Sequence, residues 1–183
     1  DLINLARARP NDLTYGSGGV GGIPHLSGAL FTSMTRTQMV HVPYKSGGLS
    51  TIGVLSGEVS LTFNTLVTSI PHLRAGKVKG LGVTTVKRVP QVSDLPTIAE
   101  AGVPGYESST WYGLSGTAQL PKDVLDRLSA ALEKVLEMSD VQKAFNDLGA
   151  TPTFDGPEQF AKVIRSDLDK WTKVVKDAGI PQQ

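Results

Sequence analysis

The stretch that decides the fold runs from Tyr15 to His25 and reads Tyr-Gly-Ser-Gly-Gly-Val-Gly-Gly-Ile-Pro-His. A short strand pattern precedes it and a helical pattern follows it, so the sequence predicts a strand-to-helix turn. Glycine lets the backbone approach a ligand closely, and the first amides of a helix have no acceptor within that helix. Those amides and the positive end of the helix dipole suit a carboxylate or a phosphate. The turn therefore predicts either an anion-binding loop or a structural turn that binds nothing.

Strand and helix patterns alternate on both sides of this turn. The predicted strands cover residues 13–16, 38–42, 59–63 and 78–84, and the predicted helices cover 2–8, 24–34, 48–55 and 65–74. Pro24 fits the first turn of the helix after the loop, where an amide hydrogen is not needed. A helix between successive strands predicts an α/β fold with a mostly parallel sheet.

The second half of the chain has a different pattern. Prolines and glycines make residues 87–106 a connector with at most one helical turn at 98–101, and a further strand is predicted over 111–116. Apolar residues then recur at helical spacing over 121–138, 141–148 and 157–177. The pattern predicts two long amphipathic helices with a shorter one between them.

Composition and charge limit the possible functions. The chain has 183 residues, 39% of them hydrophobic, and no cysteine, which excludes disulfides and cysteine nucleophiles and leaves enough apolar residues for a core. Residues 13–93 contain seven bases against one acid, Glu58, a net charge of +6, and residues 94–183 carry −5. The positive half contains the glycine loop, which favours an anionic ligand over chance as the origin of the asymmetry. The bases are scattered and not interleaved with aromatic residues, so no nucleic-acid partner is expected.

Known glycine-rich motifs fit the loop poorly. Residues 16–21 match Gly-x-Gly-x-x-Gly, but a dinucleotide site needs an acid about twenty residues further on, and no acid lies between Asp12 and Glu58. A Walker loop is disfavoured because no Gly-Lys-Ser/Thr follows the glycines. A nucleophile elbow fails because Tyr15, not glycine, stands two residues before Ser17.

The candidate binding residues lie in the loop and after the next two strands. Because the carboxyl ends of parallel strands meet at one edge of the sheet, residues following strands two and three should face the same crevice as the loop. His41 and His72 are expected to be surface or structural residues, and no metal site, catalytic residue or cofactor is predicted. His25 differs because it lies in the first helical turn beside the anion site. The ligand-binding candidates are Ser17, Gly18, Gly19, Val20, Gly21, Gly22, His25, Tyr44 and Asn64.

Several ordered motifs carry a family resemblance over the whole chain. They are Tyr15-Gly-Ser-Gly-Gly-Val-Gly-Gly-Ile-Pro-His-Leu26, Val42-Pro-Tyr-Lys45, Leu55-Ser-Gly-Glu-Val59, Leu73-Arg-Ala-Gly-Lys-Val78, Leu95-Pro-Thr-Ile-Ala-Glu-Ala-Gly-Val-Pro-Gly-Tyr-Glu107 and Trp111-Tyr-Gly-Leu114. In this order and spacing the chain resembles the Bug or TctC-like substrate-binding proteins of tripartite tricarboxylate transporters.

The resemblance implies a type II periplasmic-binding-protein-like fold and a periplasmic protein that is not an enzyme. Members bind small carboxylates between two lobes and deliver them to membrane transporter subunits. For this chain the implied ligand is a dicarboxylate, a tricarboxylate, an acidic amino acid or an aromatic acid. A nucleotide- or phosphate-using α/β enzyme and an interaction module with a purely structural loop remain the alternatives.

The resemblance also implies how the chain divides into lobes. Residues 1–108 are expected to form the second, ligand-clasping lobe with its leading helix. Residues 109–183 are expected to be the return segment and C-terminal helices of a first lobe whose N-terminal part is missing. Apolar helix faces left without that part predict a truncated chain, a fragment, or a dimer that buries the C-terminal helices.

Overall fold

The computed structural model describes residues 1–181, and residues 14–62 contain a small parallel sheet. Strands β1 (Thr14–Ser17), β2 (Val40–Pro43) and β3 (Leu61–Thr62) are parallel in the order β2-β1-β3. Gly16 lies opposite Val42 on one side and opposite Thr62 on the other. The predicted α/β fold with a parallel sheet is therefore confirmed, and β1 is its central strand.

A helix precedes the sheet and a helix follows each strand. They are α1 (Leu2–Ala8), α2 (Ile23–Thr35), α3 (Gly47–Ser56) and α4 (Leu66–Arg74), each within two residues of the predicted range. Helix α3 begins where the Ser46 hydroxyl accepts a hydrogen bond from the Leu49 amide at 3.3 Å, and it ends at Gly57 in the left-handed region. Helix α2 has Pro24 in its first turn, as predicted.

The core packs α2 and the connector against the sheet. It is built on Phe31, Val103 and Tyr106, with Leu2, Ile3, Leu30, Met39, Phe63 and Ile98 packed around them. The Tyr106 hydroxyl donates to the Ser27 carbonyl at 3.0 Å, and the hydroxyls of Ser27 and Ser108 are 2.6 Å apart. These buried hydrogen bonds hold the connector on α2.

The connector is ordered by local hydrogen bonds. It contains one 3-10 turn, Pro90–Val92, and a helical turn that follows Thr97. The Glu100 carboxylate accepts from the Thr97 amide at 2.9 Å, and the Thr97 hydroxyl accepts from the Glu100 amide at 3.0 Å. This reciprocal capping box, with Arg88 bonded to Glu100 at 2.8 Å, starts the single turn predicted at 98–101.

The predicted strand over 78–84 is wrong. The structure has only one isolated bridge there, in which Val83 pairs with Thr97. Pro96 has no amide hydrogen with which to extend the ladder, and Leu95 packs directly over Gly80. Local glycine and proline geometry therefore outweighs the apolar pattern of this segment.

The predicted strand over 111–116 is also wrong. In the described part of the chain no strand lies beside this segment, and a strand needs a neighbour for its backbone hydrogen bonds. Side chains hold Trp111 to the helix Pro157–Asp177 instead: Trp111 Nε1 donates to Asp167 at 2.6 Å, and the rings of Trp111 and Phe160 meet edge to face.

The predicted C-terminal helices are present as α5 (Lys122–Glu137), α6 (Ser139–Asp147) and α7 (Pro157–Asp177). The chain divides into two compact units, Asp1–Thr110 with the end of the chain from Trp171, and Trp111–Lys170. Apolar side chains remain exposed in the second unit, among them Leu128 at 56% and Leu168 at 65%. The division into lobes at residue 108 stays a prediction. None of the helices within residues 1–181 has the length and apolar composition that a membrane span requires.

Candidate functional site

The three strand-to-helix junctions contact one another at the carboxyl edge of the sheet. A methyl group built on Gly18, in the junction after β1, would lie 2.9 Å from the Gly47 nitrogen and 3.2 Å from the Ser46 carbonyl carbon. A methyl group on Gly47, after β2, would lie 2.6 Å from the Asn64 side-chain oxygen, after β3. Only glycine fits at these two positions, so the sequence brings the starts of α2, α3 and α4 together.

The glycine loop, residues 17–22, offers unused backbone donors at this edge. Within the described part of the chain, the amides of Gly18, Val20 and Gly22 donate to no protein acceptor. Gly19 and Gly21 have φ values of 141° and 77°, which other residues rarely adopt. The starts of α2 and α3 add the positive ends of two helix dipoles. This arrangement suits a carboxylate or another small anion.

Ser17 holds the first part of the loop in place by hydrogen bonds. Its side chain is fully buried, and its hydroxyl accepts from the Gly19 amide at 3.1 Å and donates to the Gly19 carbonyl at 3.0 Å. His41 Nε2 lies 2.7 Å from the same oxygen. Because the hydroxyl has one hydrogen, all three contacts are satisfied together when His41 Nε2–H donates to Ser17.

His25 fixes the second part of the loop. The Gly21 amide donates to His25 Nδ1 at 3.1 Å, which leaves the neutral ring with its hydrogen on Nε2. The rings of His25 and His41 are stacked with centroids 3.7 Å apart. Burial lowers the pKa of His25, and burial together with the charge of His25 lowers the pKa of His41 to about 4. Both rings are therefore neutral at pH 7.

The remaining two candidates, Tyr44 and Asn64, both contact α3 beside the loop. The Tyr44 hydroxyl is buried against Gly53 of α3, and burial and the neighbouring Glu58 raise its pKa. Asn64 donates to the Gly47 carbonyl at 2.6 Å and to the Thr51 hydroxyl at 2.9 Å. Contact of either residue with a ligand stays a prediction, as it does for the loop residues and His25.

The site has little of what hydrolysis or metal chemistry requires. The Ser17–His41 contact has the distance of a nucleophile and its base, but Ser17 is fully buried and its hydroxyl is already bonded to Gly19. Among the described residues, no group of three or more histidine or acidic side chains has a metal-binding arrangement. The Ser17 hydroxyl is therefore engaged by the loop backbone.

Sequence reasoning missed two contributors to the site. One is His41, which β2 places two residues before Pro43, the register partner of Ser17. The other is the Ser46-Gly47-Gly48 start of α3, which contacts Gly18. The serine cap followed by two glycines was a usable signal for the second, whereas the first depended on the strand register.

Comparison with known proteins identifies the family. Residues 1–180 match the model of the tripartite tricarboxylate transporter family receptor, TctC. This chain belongs to the TctC family. Its Bug relatives include the protein BugT of Bordetella pertussis, which is 26% identical over 97% of this chain and 55% of the relative. The UPF0065 protein in the tcbD-tcbE intergenic region of Pseudomonas sp. (strain P51) is 33% identical over 95% of this chain and 52% of the relative. The chain spans about half the length of these curated relatives.

Solved TctC-like structures have the same fold, and two of them are described with a carboxylate. Rpa4515 of R. palustris with adipate has a TM-score of 0.88 and 37% identity, and it covers 98% of this chain and 60% of its own. A structure described as a periplasmic transporter has a TM-score of 0.86 and 34% identity, with 98% and 60% covered. MatC from Rhodopseudomonas palustris with bound malate has a TM-score of 0.79 and 28% identity, with 95% and 60% covered. The family model and these neighbours confirm the predicted type II periplasmic-binding-protein-like fold.

Proposed function

We propose that this chain is the solute-binding component of a tripartite tricarboxylate-type transport system and binds a small organic carboxylate at the glycine loop. It acts in the periplasm, passes its ligand to membrane transporter subunits, and catalyses no reaction. The candidate ligands are dicarboxylates, tricarboxylates, acidic amino acids and aromatic acids.

One observation carries the proposal: Gly18 lies directly against the start of α3. This contact brings the loop amides that are available to a ligand beside the first amides of a second helix. Two helix dipoles then act on the same small volume. A carboxylate has two oxygens that accept several such hydrogen bonds at once.

The comparisons support a carboxylate over a phosphate. Two solved neighbours are described with adipate and with malate, which are both dicarboxylates. The chain has no acid between Asp12 and Glu58 to hold a ribose, so a nucleotide would lack one of its usual contacts. A dicarboxylate is therefore the first ligand class to test.

Calorimetry on the chain at high concentration tests the proposal, with adipate, malate, citrate, glutamate and benzoate against ATP and inorganic phosphate. We expect heat from at least one carboxylate and none from ATP. Binding of ATP alone would support the enzyme alternative, and binding of no anion would leave the loop a structural turn.

A glycine substitution and a matched control locate the binding. Gly19→Val forces a β-branched residue into φ 141° and distorts the loop, so carboxylate affinity should fall at least about tenfold. Gly105→Val introduces comparable strain at φ 81° in the connector, with no atom within 4 Å of the new carbon, and should leave affinity unchanged. Equal affinity in both variants would move the site away from the glycine loop.

A further inference from the structure

Two stacked histidines from different elements support the glycine loop. His25 comes from the first turn of α2 and His41 from β2, and their rings lie 3.7 Å apart with 12° between their planes. Tyr15 of β1 packs against both rings, at 5.1 Å from His41 and 6.3 Å from His25. Among residues 1–181, the titratable side chains in ring contact with this histidine pair are each other's and that of Tyr15.

Each histidine is connected to a different part of the loop. His41 reaches Gly19 through the Ser17 hydroxyl, with contacts of 2.7 Å and 3.1 Å. His25 accepts directly from the Gly21 amide at 3.1 Å. Gly19 and Gly21 are the loop residues with positive φ. The pair therefore acts on Gly19 and Gly21, where glycine leaves the backbone conformation of the loop least restricted.

We propose that the histidine pair positions the glycine loop, fixing Gly19 and Gly21 so that the amides of Gly18, Val20 and Gly22 stay free for the anion. The inference rests on the proposed function and deepens it. His25 and His41 are positioning residues that need no contact with the ligand. A loop ordered before binding loses less conformational freedom when the anion arrives, so the pair increases affinity.

The positioning requires the neutral imidazoles. A proton on His25 Nδ1 would set two N–H donors against each other at Gly21 and remove that hydrogen bond. It would also place positive charge 3.7 Å from the stacked ring of His41. Acid should therefore release the Gly21 side of the loop as His25 titrates. Burial lowers the pKa of this group, so release occurs below its ordinary value of 6.5.

Isosteric variants separate positioning from simple packing. His25→Asn keeps an acceptor near the Nδ1 position and His41→Gln keeps a donor near the Nε2 position, whereas His25→Leu and His41→Leu remove them. His72→Gln is the control, because its side chain makes no hydrogen bond or ring contact with the loop within residues 1–181. Nuclear magnetic resonance on the 183-residue chain without ligand reads out amide exchange with water at Gly19 and Gly21, and the histidine tautomers.

We expect exchange about five- to tenfold faster at Gly21 in His25→Leu and at Gly19 in His41→Leu, from the loss of one hydrogen bond. The Asn and Gln variants should stay within about twofold of the parent, and His72→Gln should match it. In the parent chain both histidines should carry their hydrogen on Nε2. The protection of the Gly21 amide, which is the intrinsic exchange rate divided by the observed rate at the same pH, should decrease as His25 is protonated below its ordinary pKa of 6.5. Titration with adipate should then give loop shifts at lower ligand concentration in the isosteric variants than in the Leu variants.

Some results would overturn the proposal. Exchange rates at Gly19 and Gly21 that stay at the parent values in the folded Leu variants would contradict it. Equal acceleration in the isosteric and Leu variants would also contradict it, because that result indicates packing alone. If the Leu variants do not fold, the parent chain still decides the question. A parent His25 with its hydrogen on Nδ1, or Gly21 protection that does not change with pH, would contradict the proposal. If the ligand-free results are as expected but neither adipate nor any other carboxylate moves a loop amide, the proposed function fails and the positioning remains.

Discussion

At the scale of single residues, glycine sets how closely α2 approaches the sheet. A methyl group on Gly28 would overlap the ring of Tyr15, which is only 3% exposed. We expect Gly28→Ala to lower the free energy of unfolding by about 1–3 kcal/mol, because the ring has no room to move. Urea unfolding measures this change.

A helical glycine with free space is the control for that prediction. Gly48 lies in the first turn of α3, and the nearest atom to an added methyl group is the Ser46 hydroxyl at 3.8 Å. Gly48→Ala should leave stability unchanged or raise it by up to about 1 kcal/mol through helix propensity. Equal destabilisation in both variants would show that the approach of α2 to β1 is not as close as described.

Asn64 is the residue that holds the start of α3 in place. Asn64→Asp keeps the acceptor for the Thr65 amide but removes both donors, to Gly47 and to Thr51. A carboxylate facing the Gly47 carbonyl should lower the free energy of unfolding by about 1–3 kcal/mol. The same exchange at exposed Asn11, whose side chain donates to the Gln38 side chain, should change it by less than about 0.5 kcal/mol. Thermal or urea unfolding of the two variants distinguishes these values.

At the scale of elements, periodicity predicted the helices and the first three strands, because burial against one core sets both patterns. The strands over 78–84 and 111–116 could not be predicted correctly from apolar runs alone. Pairing depends on a neighbour that the run itself does not specify, and Pro96 ends the ladder at Val83 after one bridge. The same limit applies to the site. The run of glycines made the loop predictable from the sequence, whereas the position of His41 beside Ser17 depends on the register of β2 against β1.

Burial of the histidine pair, in which His25 of α2 stacks on His41 of β2, makes the free energy of unfolding depend on pH. The folded pKa of His41 is about 4, below the ordinary 6.5 expected after unfolding. Between these values the unfolded chain binds more protons than the folded chain, so stability should fall from pH 6.5 to 4 and be full above 6.5. The slope is at most about 1.4 kcal/mol per pH unit for each histidine.

Urea unfolding across pH 4–8 measures this dependence, and a variant assigns it. His41→Gln keeps a polar side chain but does not titrate, so its profile should be flatter than that of the parent. A parent profile without a decline below pH 6.5, or an unchanged slope in His41→Gln, would contradict the buried neutral pair.

At the scale of the whole molecule, the second unit leaves apolar helix faces uncovered. Leu128 of α5 and Leu168 of α7 are more than half exposed, at 56% and 65%. Soluble monomers avoid large apolar patches, so we expect the chain to self-associate in solution. Size-exclusion chromatography with light scattering should give a mass above the 19.4 kDa of one chain.

Charged substitutions test which faces are responsible. Leu128→Glu with Leu168→Lys should shift the chain toward the monomer without loss of helical circular dichroism. The matched pair Leu81→Glu with Val86→Lys changes exposed apolar residues of the first unit, at 53% and 71%, and should leave the mass unchanged. A monomer in the parent chain would contradict burial of the C-terminal helices in a dimer.

The central claim is that a carboxylate binds the glycine loop, and a two-dimensional amide spectrum recorded during titration with adipate tests it most directly. The account predicts that the largest shifts fall on residues 18–22 and on Gly47 and Gly48, with ATP causing none at equal concentration. Shifts confined to other parts of the chain, or loop shifts caused by ATP and not by adipate, malate or any other carboxylate, would contradict it.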